Sequence, residues 1–388
     1  MKTTKIVSLL LAIAMVVGMC AMFAGCDKKE QSTTFRIGMS GPLTGGASVY
    51  GIAVKNSAQM AIDEINAAGG LDGVKFELIA TDDQHDATKV PTNFDTMLDK
   101  GVHVTLGTVT TKPGMEFKNL SKEENIFYLT PSASGDDIVG GGNGFQMCFA
   151  DGDQGQVAAD YVNGLGLTKI GVFFKSDDPY SDGIYKNFKA ALSEGIEVIE
   201  TQFTDANATD FATQIDQLKD CTFIFMPIYY QPAAIFMKQA KGKVVDTATY
   251  YGCDGFDGLE GELGEDFTSI PQKISMLSHF NAKAEDGKAK EFVDKYMDKY
   301  NDASTLNQFG ASAYDSVYAI YGAMKELKAE GKEITPDMTA SELCDLLKGK
   351  FTGGYTFAEG ATGSNITWES TGKVKKGATE YVLKEANA

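Results

Sequence analysis

The chain has 388 residues, with 53 Asp and Glu against 35 Lys and Arg, a formal charge of −18 and 43% hydrophobic residues. That acidity argues against nucleic acid, whose phosphates are met by clustered Lys and Arg, and against a helix docked on anionic lipid. The apolar fraction and scattered charge rule out a disordered tail, while the length is too great for one compact core and implies two domains.

The first segment reads as an export signal. Met1-Lys2-Thr3-Thr4-Lys5 is basic, Ile6 to Val17 is apolar and uncharged, and Phe23-Ala24-Gly25 puts small residues before Cys26. The run is too short to span a bilayer. Cys26 resembles the acylated cysteine of a bacterial lipobox, with Phe23 where Leu is usual; the alternative is a plain secretory signal with an incidental cysteine. The expectation is a lipoprotein signal peptide over 1–25, a polar tether over 26–34, and a protein outside the cytoplasm, lipid-anchored to the cell membrane through Cys26.

Beyond it, short apolar runs alternate with helical patterns. Phe35 to Met39 has the period of a strand, ending at the turn Ser40-Gly41-Pro42. Ser48 to Ala68 predicts a helix, with Val54, Ala58, Ala61 and Ile65 on one face and Gly69-Gly70 ending it. A strand over Lys75 to Ala80 follows, then a helix with Pro91 in its first turn, because an interior proline would lose a hydrogen bond and clash. The unit repeats: strand Val102 to Leu106, helix from Pro113, strand Ile126 to Leu129.

After the loose segment Gly135 to Gly144, a second run carries strands at Lys169 to Phe174, Glu197 to Thr201, Cys221 to Met226 and Thr249 to Gly252. Helices near Tyr180 to Leu192, Phe211 to Leu218 and Pro232 to Ala240 separate them. This alternation implies parallel sheets covered on both faces. From Glu285 to Leu327 two long amphipathic helices follow each other, which reads as a return to the first domain. Cys148, Cys221, Cys253 and Cys344 are widely spaced singletons without a CxxC pair, so zinc or thiol redox work is not indicated; buried free thiols are expected, although an export compartment permits a pairing.

Ligands of such sheets collect where strand ends meet helix N-termini. Around Pro113, Thr111 or Lys112 would cap a helix whose free N–H groups suit a carboxylate, and Thr111 adds a hydroxyl. Ser132 and Ser134, in Thr130-Pro131-Ser132-Ala133-Ser134, offer hydroxyls and backbone carbonyls at a strand end, though such a segment is also an ordinary turn. Asp254 follows a strand directly and would suit a ligand ammonium, although Asp before Gly is frequent in turns. Tyr50, Tyr180 and Tyr229 could wall the crevice, or simply pack.

At this point the residues resemble a family. Gly41-Pro42-Leu43-Thr44-Gly45, Ala67-Ala68-Gly69-Gly70, Asp82-Asp83-Gln84, Thr130 to Ser134, Asp153-Gln154-Gly155, Tyr180-Ser181-Asp182-Gly183, Gly252-Cys253-Asp254-Gly255 and Ala313 to Tyr318 come in the order of the leucine/isoleucine/valine-binding protein family. These are substrate-binding lipoproteins of branched-chain amino-acid ABC transporters. The resemblance implies an α/β fold of two doubly wound parallel-sheet lobes joined by a three-crossing hinge, the type I periplasmic binding protein. The lobes would comprise 35–149 with 281–353, and 150–280 with 354–388. It implies that Thr111 holds a ligand α-carboxylate, that Ser132 contributes backbone groups and Ser134 a hydroxyl, and that Asp254 pairs with the α-ammonium. Tyr50, Tyr180 and Tyr229 match the aromatic pocket positions. The segment Asn365 to Trp368 departs from the pattern.

The implied function is capture of an amino acid, branched-chain in type, and delivery to an ABC permease, by a monomer needing no cofactor and no metal. An enzyme is the main rival. With only His85, His103 and His279, and no GxSxG, GxxxxGK[ST] or HExxH pattern, catalytic machinery is hard to assemble. The acid pairs Asp82-Asp83 and Asp177-Asp178 read as solvated loop ends, and Asp151 to Asp160 lacks the twelfth ligand of a calcium loop. A sensor or binding protein for amides or aromatic acids on the same fold is the alternative, and Asp254 discriminates, since such ligands would leave its carboxylate unpaired.

Overall fold

The computed structural model describes residues 33–140 and 142–387, so the expected signal segment, Cys26 and nearly all of the tether lie outside the described residues. Thr34–Gly41 forms β1, followed by α1 (Ser48–Ala67), β2 (Lys75–Asp82), α2 (Val90–Asp99), β3 (Val104–Thr105), α3 (Thr111–Glu124), β4 (Tyr128–Thr130) and β5 (Gly144–Gln146). The strands pair in parallel in the order β2-β1-β3-β4-β5, with Ile37 opposite Leu78 on one side and Val104 on the other. Alternate residues Phe35, Ile37 and Met39 bury one face of β1 in the same cluster as Val54, Ala58, Ala61 and Ile65 of α1, the face that helical spacing predicts.

The second lobe follows the same scheme. α4 (Asp151–Gly164), β6 (Lys169–Lys175), α5 (Pro179–Ala191), β7 (Glu197–Phe203), α6 (Ala212–Leu218), β8 (Phe223–Met226), α7 (Tyr230–Ala240), β9 (Thr249–Gly252), the short α8 (Leu259–Leu263) and α9 (Asp266–Ser269), and β10 (Lys273–Ser278) come in turn. Its strands run β7-β6-β8-β9-β10, closed at the edge by an antiparallel strand from the chain end, Thr379–Lys384. In each sheet the order reverses beside its first strand, between β1 and β3 and between β6 and β8. Those reversals part the loops at the carboxyl ends of the strands and open a crevice.

Next come α10 (Gly287–Tyr300), α11 (Gln308–Ala329), α12 (Ala340–Thr352), a hairpin of β11 (Phe357–Gly360) and β12 (Gly363–Ile366), and β13, the edge strand already described. α11 lies along α1, where Tyr314 and Tyr318 both donate to Glu64, and Tyr300 of α10 donates to the carbonyl of Asn56 at 2.7 Å. The two long helices therefore pack on the first sheet's layer.

Several elements differ from expectation. β3 is shorter, α3 starts at Thr111 with Thr110 rather than Thr111 or Lys112 as its cap residue, and the loose Gly-rich stretch ends in β5. α4 begins Asp-Gly-Asp-Gln-Gly, a loop-like composition; burial of Ala158, Ala159 and Val162 holds it helical, and Asp151 and Asp153 suit its first turn. Trp368, in the segment that departs from the family pattern, packs on Phe351 and donates its indole N–H to the carbonyl of Gln146 at 2.7 Å. Cys148, Cys221, Cys253 and Cys344 are buried and free. Among the described residues no helix is long and apolar enough to cross a membrane.

Candidate functional site

The loops at the two reversals meet around a small cavity lined by Tyr50, Thr111, Ser132, Ser134, Tyr180, Tyr229 and Asp254, all seven residues singled out from sequence, together with Val109, Thr110 and Phe309. Thr111 and Ser134 come from the ends of β3 and β4; Tyr180, Tyr229 and Asp254 follow β6, β8 and β9. Tyr50 extends from α1 across the crevice, its O–H donating to the carbonyl of Gly255 at 2.6 Å. A wider groove between α11 and α12 is open to solvent, and its Lys350 is taken up by Glu326 and Glu330.

Asp254 sits at the floor with 1% of its surface exposed. One carboxylate oxygen accepts the Tyr180 O–H at 2.6 Å; the other, Oδ2, is buried without a partner. Burial pushes the carboxyl up to about 6, against the pull of the Tyr180 hydrogen bond. The Tyr180 oxygen in turn accepts the Gly255 N–H at 2.9 Å, and its ring stacks on Tyr229 with centroids 4.5 Å apart and planes 7° off parallel. A side chain at position 255 would put its Cβ 2.5 Å from the Tyr180 oxygen and 2.7 Å from the Ile228 carbonyl, so only glycine fits this approach.

Opposite, the hydroxyls gather at the start of α3. Thr111 Oγ1 lies 3.4 Å from Asp151 Oδ2, and Ser132 Oγ donates to the Val109 carbonyl at 2.7 Å. The first N–H groups of α3 have no intrahelical acceptor and carry the positive end of the helix dipole. Thr110 Oγ1 is 2.9 Å from His85 Nδ1, and the His85 ring meets Tyr229 edge-on. Phe309 closes the roof with its ring 4.7 Å from that of Tyr50. The arrangement offers hydroxyl and N–H donors on one wall, an unsatisfied carboxylate oxygen on the other, and aromatic faces between them.

Sequence reasoning passed over Val109 and Phe309, and gave no place in the site to Thr110, His85, Asp151 or Gln154. Gln154 accepts the Asp254 N–H at 2.9 Å and donates to Asp151 Oδ1 at 3.3 Å, which ties the start of α4 to the floor. Its signal was present in Asp153-Gln154-Gly155, whose order was noted without a role.

The chain and its fold have known relatives. The chain is 26% identical over 351 residues to a leucine-, isoleucine-, valine-, threonine- and alanine-binding protein of Pseudomonas aeruginosa, spanning 88% of this chain and 90% of that one. It superposes with a TM-score of 0.74 on the branched-chain amino-acid transporter substrate-binding protein LivJ of Streptococcus pneumoniae in complex with isoleucine, at 26% identity over 90% of this chain and 100% of that one. It shares the fold, at 18% identity and a TM-score of 0.75, with a solute-binding protein of an ABC transporter from Rhodopseudomonas palustris in complex with 3,4-dihydroxybenzoic acid, covering 92% and 94% of the two chains. The sequence profile described as periplasmic binding protein runs over residues 34–367, taking in every strand of both sheets but the edge strand Thr379–Lys384 and every wall of the cavity, and the chain therefore belongs to the periplasmic binding protein family.

Proposed function

We propose that this chain is the extracytoplasmic solute-binding protein of an ABC importer, which takes up an amino acid, branched-chain in type, and hands it to a membrane permease. The observation that carries this reading is Asp254 Oδ2, buried and unpartnered in a cavity whose opposite wall holds hydroxyl and helix N–H donors. A zwitterion satisfies both walls at once, its ammonium on Asp254 and its carboxylate on Thr111 and Ser134, with Ser132 adding backbone groups. Tyr50, Tyr180 and Tyr229 would wall the side chain.

In this reading residues 35–149 with 281–353 and 150–280 with 354–388 act as the two lobes, and ligand contacts made by both stabilise closure. Cys26 carries the lipid that tethers a monomer to the membrane. The second reading, a binder or sensor of amides or aromatic acids, draws on the ring stack of Tyr180 and Tyr229 and on the aromatic-acid complex of the same fold.

A thermal-shift screen of protein refolded to strip carried-over ligand separates the two. Ligand at 100 times its Kd adds roughly 2.7 kcal/mol to native stability. Shifts with L-leucine, L-isoleucine or L-valine support the first reading, and Asp254→Ala should then remove most of the affinity by calorimetry. Shifts only with amides or aromatic acids would replace it with the second.

A further inference from the structure

The floor of the cleft holds two carboxylates where a single ammonium needs one. Asp151, 2% exposed, opens α4, and Asp254, 1% exposed, follows β9; the Gln154 amide bridges them, accepting from one backbone and donating to the other carboxylate. Neither carboxylate has an ion-pair partner among the described residues, and Asp254 Oδ2 has no hydrogen bond. Two like charges in a desolvated site cannot both stay ionised cheaply.

We propose that Asp151 and Asp254 hold one proton between them in the ligand-free cleft, and that an arriving ammonium group takes its place, so that capture of an amino acid releases a proton to solvent. The ammonium keeps its own three N–H bonds. The carboxyl O–H bond breaks, its electron pair stays on oxygen, and the proton passes to buffer. Asp151 acts as a positioning residue, since it reaches the cavity through Thr111 and Ser134. The inference rests on the amino-acid reading above.

Among the described residues no cation cancels the second charge. Asp136 is held by Lys373; Asp178 faces Lys175 and His85; Asp257 accepts the Gln308 N–H at 3.0 Å. Lys376 donates to the Met147 carbonyl and to Thr362, and faces Asp315 and Cys148. Desolvation holds the phenols of Tyr50, Tyr180 and Tyr229 and the thiols of Cys148 and Cys253 neutral. Burial, then the charge of Asp254, raises the Asp151 carboxyl well above the usual range.

The test is calorimetry with L-leucine at pH 6 in phosphate and in Bis-Tris, whose ionisation heats differ. Release of about one proton per ligand is expected, falling to about half a proton in Asp151→Asn, where Asp254 is left alone to titrate near 6, and unchanged in Asp257→Asn. Equal heats in the two buffers for the wild type would overturn the proposal, and that comparison decides even where Asp151→Asn does not fold. If L-leucine gives no heat at all, the amino-acid reading fails separately. A difference titration of the ligand-free proteins then still decides the pair: wild type should hold its proton to higher pH than Asp151→Asn, whose Asp254 is left to titrate near 6, and superimposable curves would overturn it.

Discussion

Replacing Asp254 by Asn removes the buried charge and keeps an oxygen for the Tyr180 O–H, which makes its effect on stability a measure of how far burial disfavours that charge. The carboxyl is raised from the usual 3.8 to about 6, so the folded chain binds more protons than the unfolded one between those values. The stability this confers is fully present below 3.8 and is lost as pH rises through 6. A shift of about 2 units at 1.36 kcal/mol each is worth about 3 kcal/mol. The comparison should be made across pH rather than at one pH, because the new amide brings a constant cost of about 1 to 3 kcal/mol if its N–H₂ stays unpaired. Urea unfolding of wild type and Asp254→Asn at pH 4, 5, 6, 7 and 8, without ligand, should give profiles that converge or cross, the variant gaining about 3 kcal/mol on the wild type by pH 8. Parallel profiles would refute the reasoning, because they would mean that Asp254 is as well solvated when folded as when unfolded.

Three further outcomes follow from the geometry. Tyr180→Phe keeps the stack on Tyr229 but deletes the donor to Asp254 and the acceptor of the Gly255 N–H, and should weaken amino-acid binding about 10- to 100-fold by calorimetry while the fold survives. Gly255→Ala forces a methyl to within 2.5 Å of the Tyr180 oxygen and should abolish the ligand-induced thermal shift, with circular dichroism at room temperature unchanged. Lys376→Met deprives Asp315 of its facing ammonium and should cost about 3 kcal/mol in urea unfolding; adding Asp315→Asn, which removes the orphaned charge, should recover part of that loss.

Most of the framework was legible along the chain. Period-two runs and helical faces need only nearest neighbours, so β1, α1, the α5 region and β9 stand close to where pattern reading puts them, and the loops at the strand ends follow once the alternation is recognised. The seven residues that line the cavity were reachable by the same route, six as positions in the loops or helix starts that follow strands and Tyr50 in the first turn of α1, each bearing a hydroxyl, carboxylate or phenol group. β5, β10 and β13 are short strands that pattern reading missed; α4 opens on Asp-Gly-Asp-Gln-Gly, which hides the helical spacing of Gln154, Ala158 and Val162, and α12 was missed although Leu343, Leu347 and Phe351 recur at helical spacing behind a Thr339 and Glu342 capping box.

What local sequence determined, then, is the order of strands and helices and the chemistry presented at their ends. Only the tertiary structure decided which ends meet. Tyr50 reaches Gly255 across 205 residues of chain, Phe309 arrives at the roof because α11 folds back along α1, and Gln154 links two aspartates from different elements. The unpartnered oxygen of Asp254 exists only because these segments converge and exclude water, and burial is a property of the assembled fold rather than of any stretch of sequence.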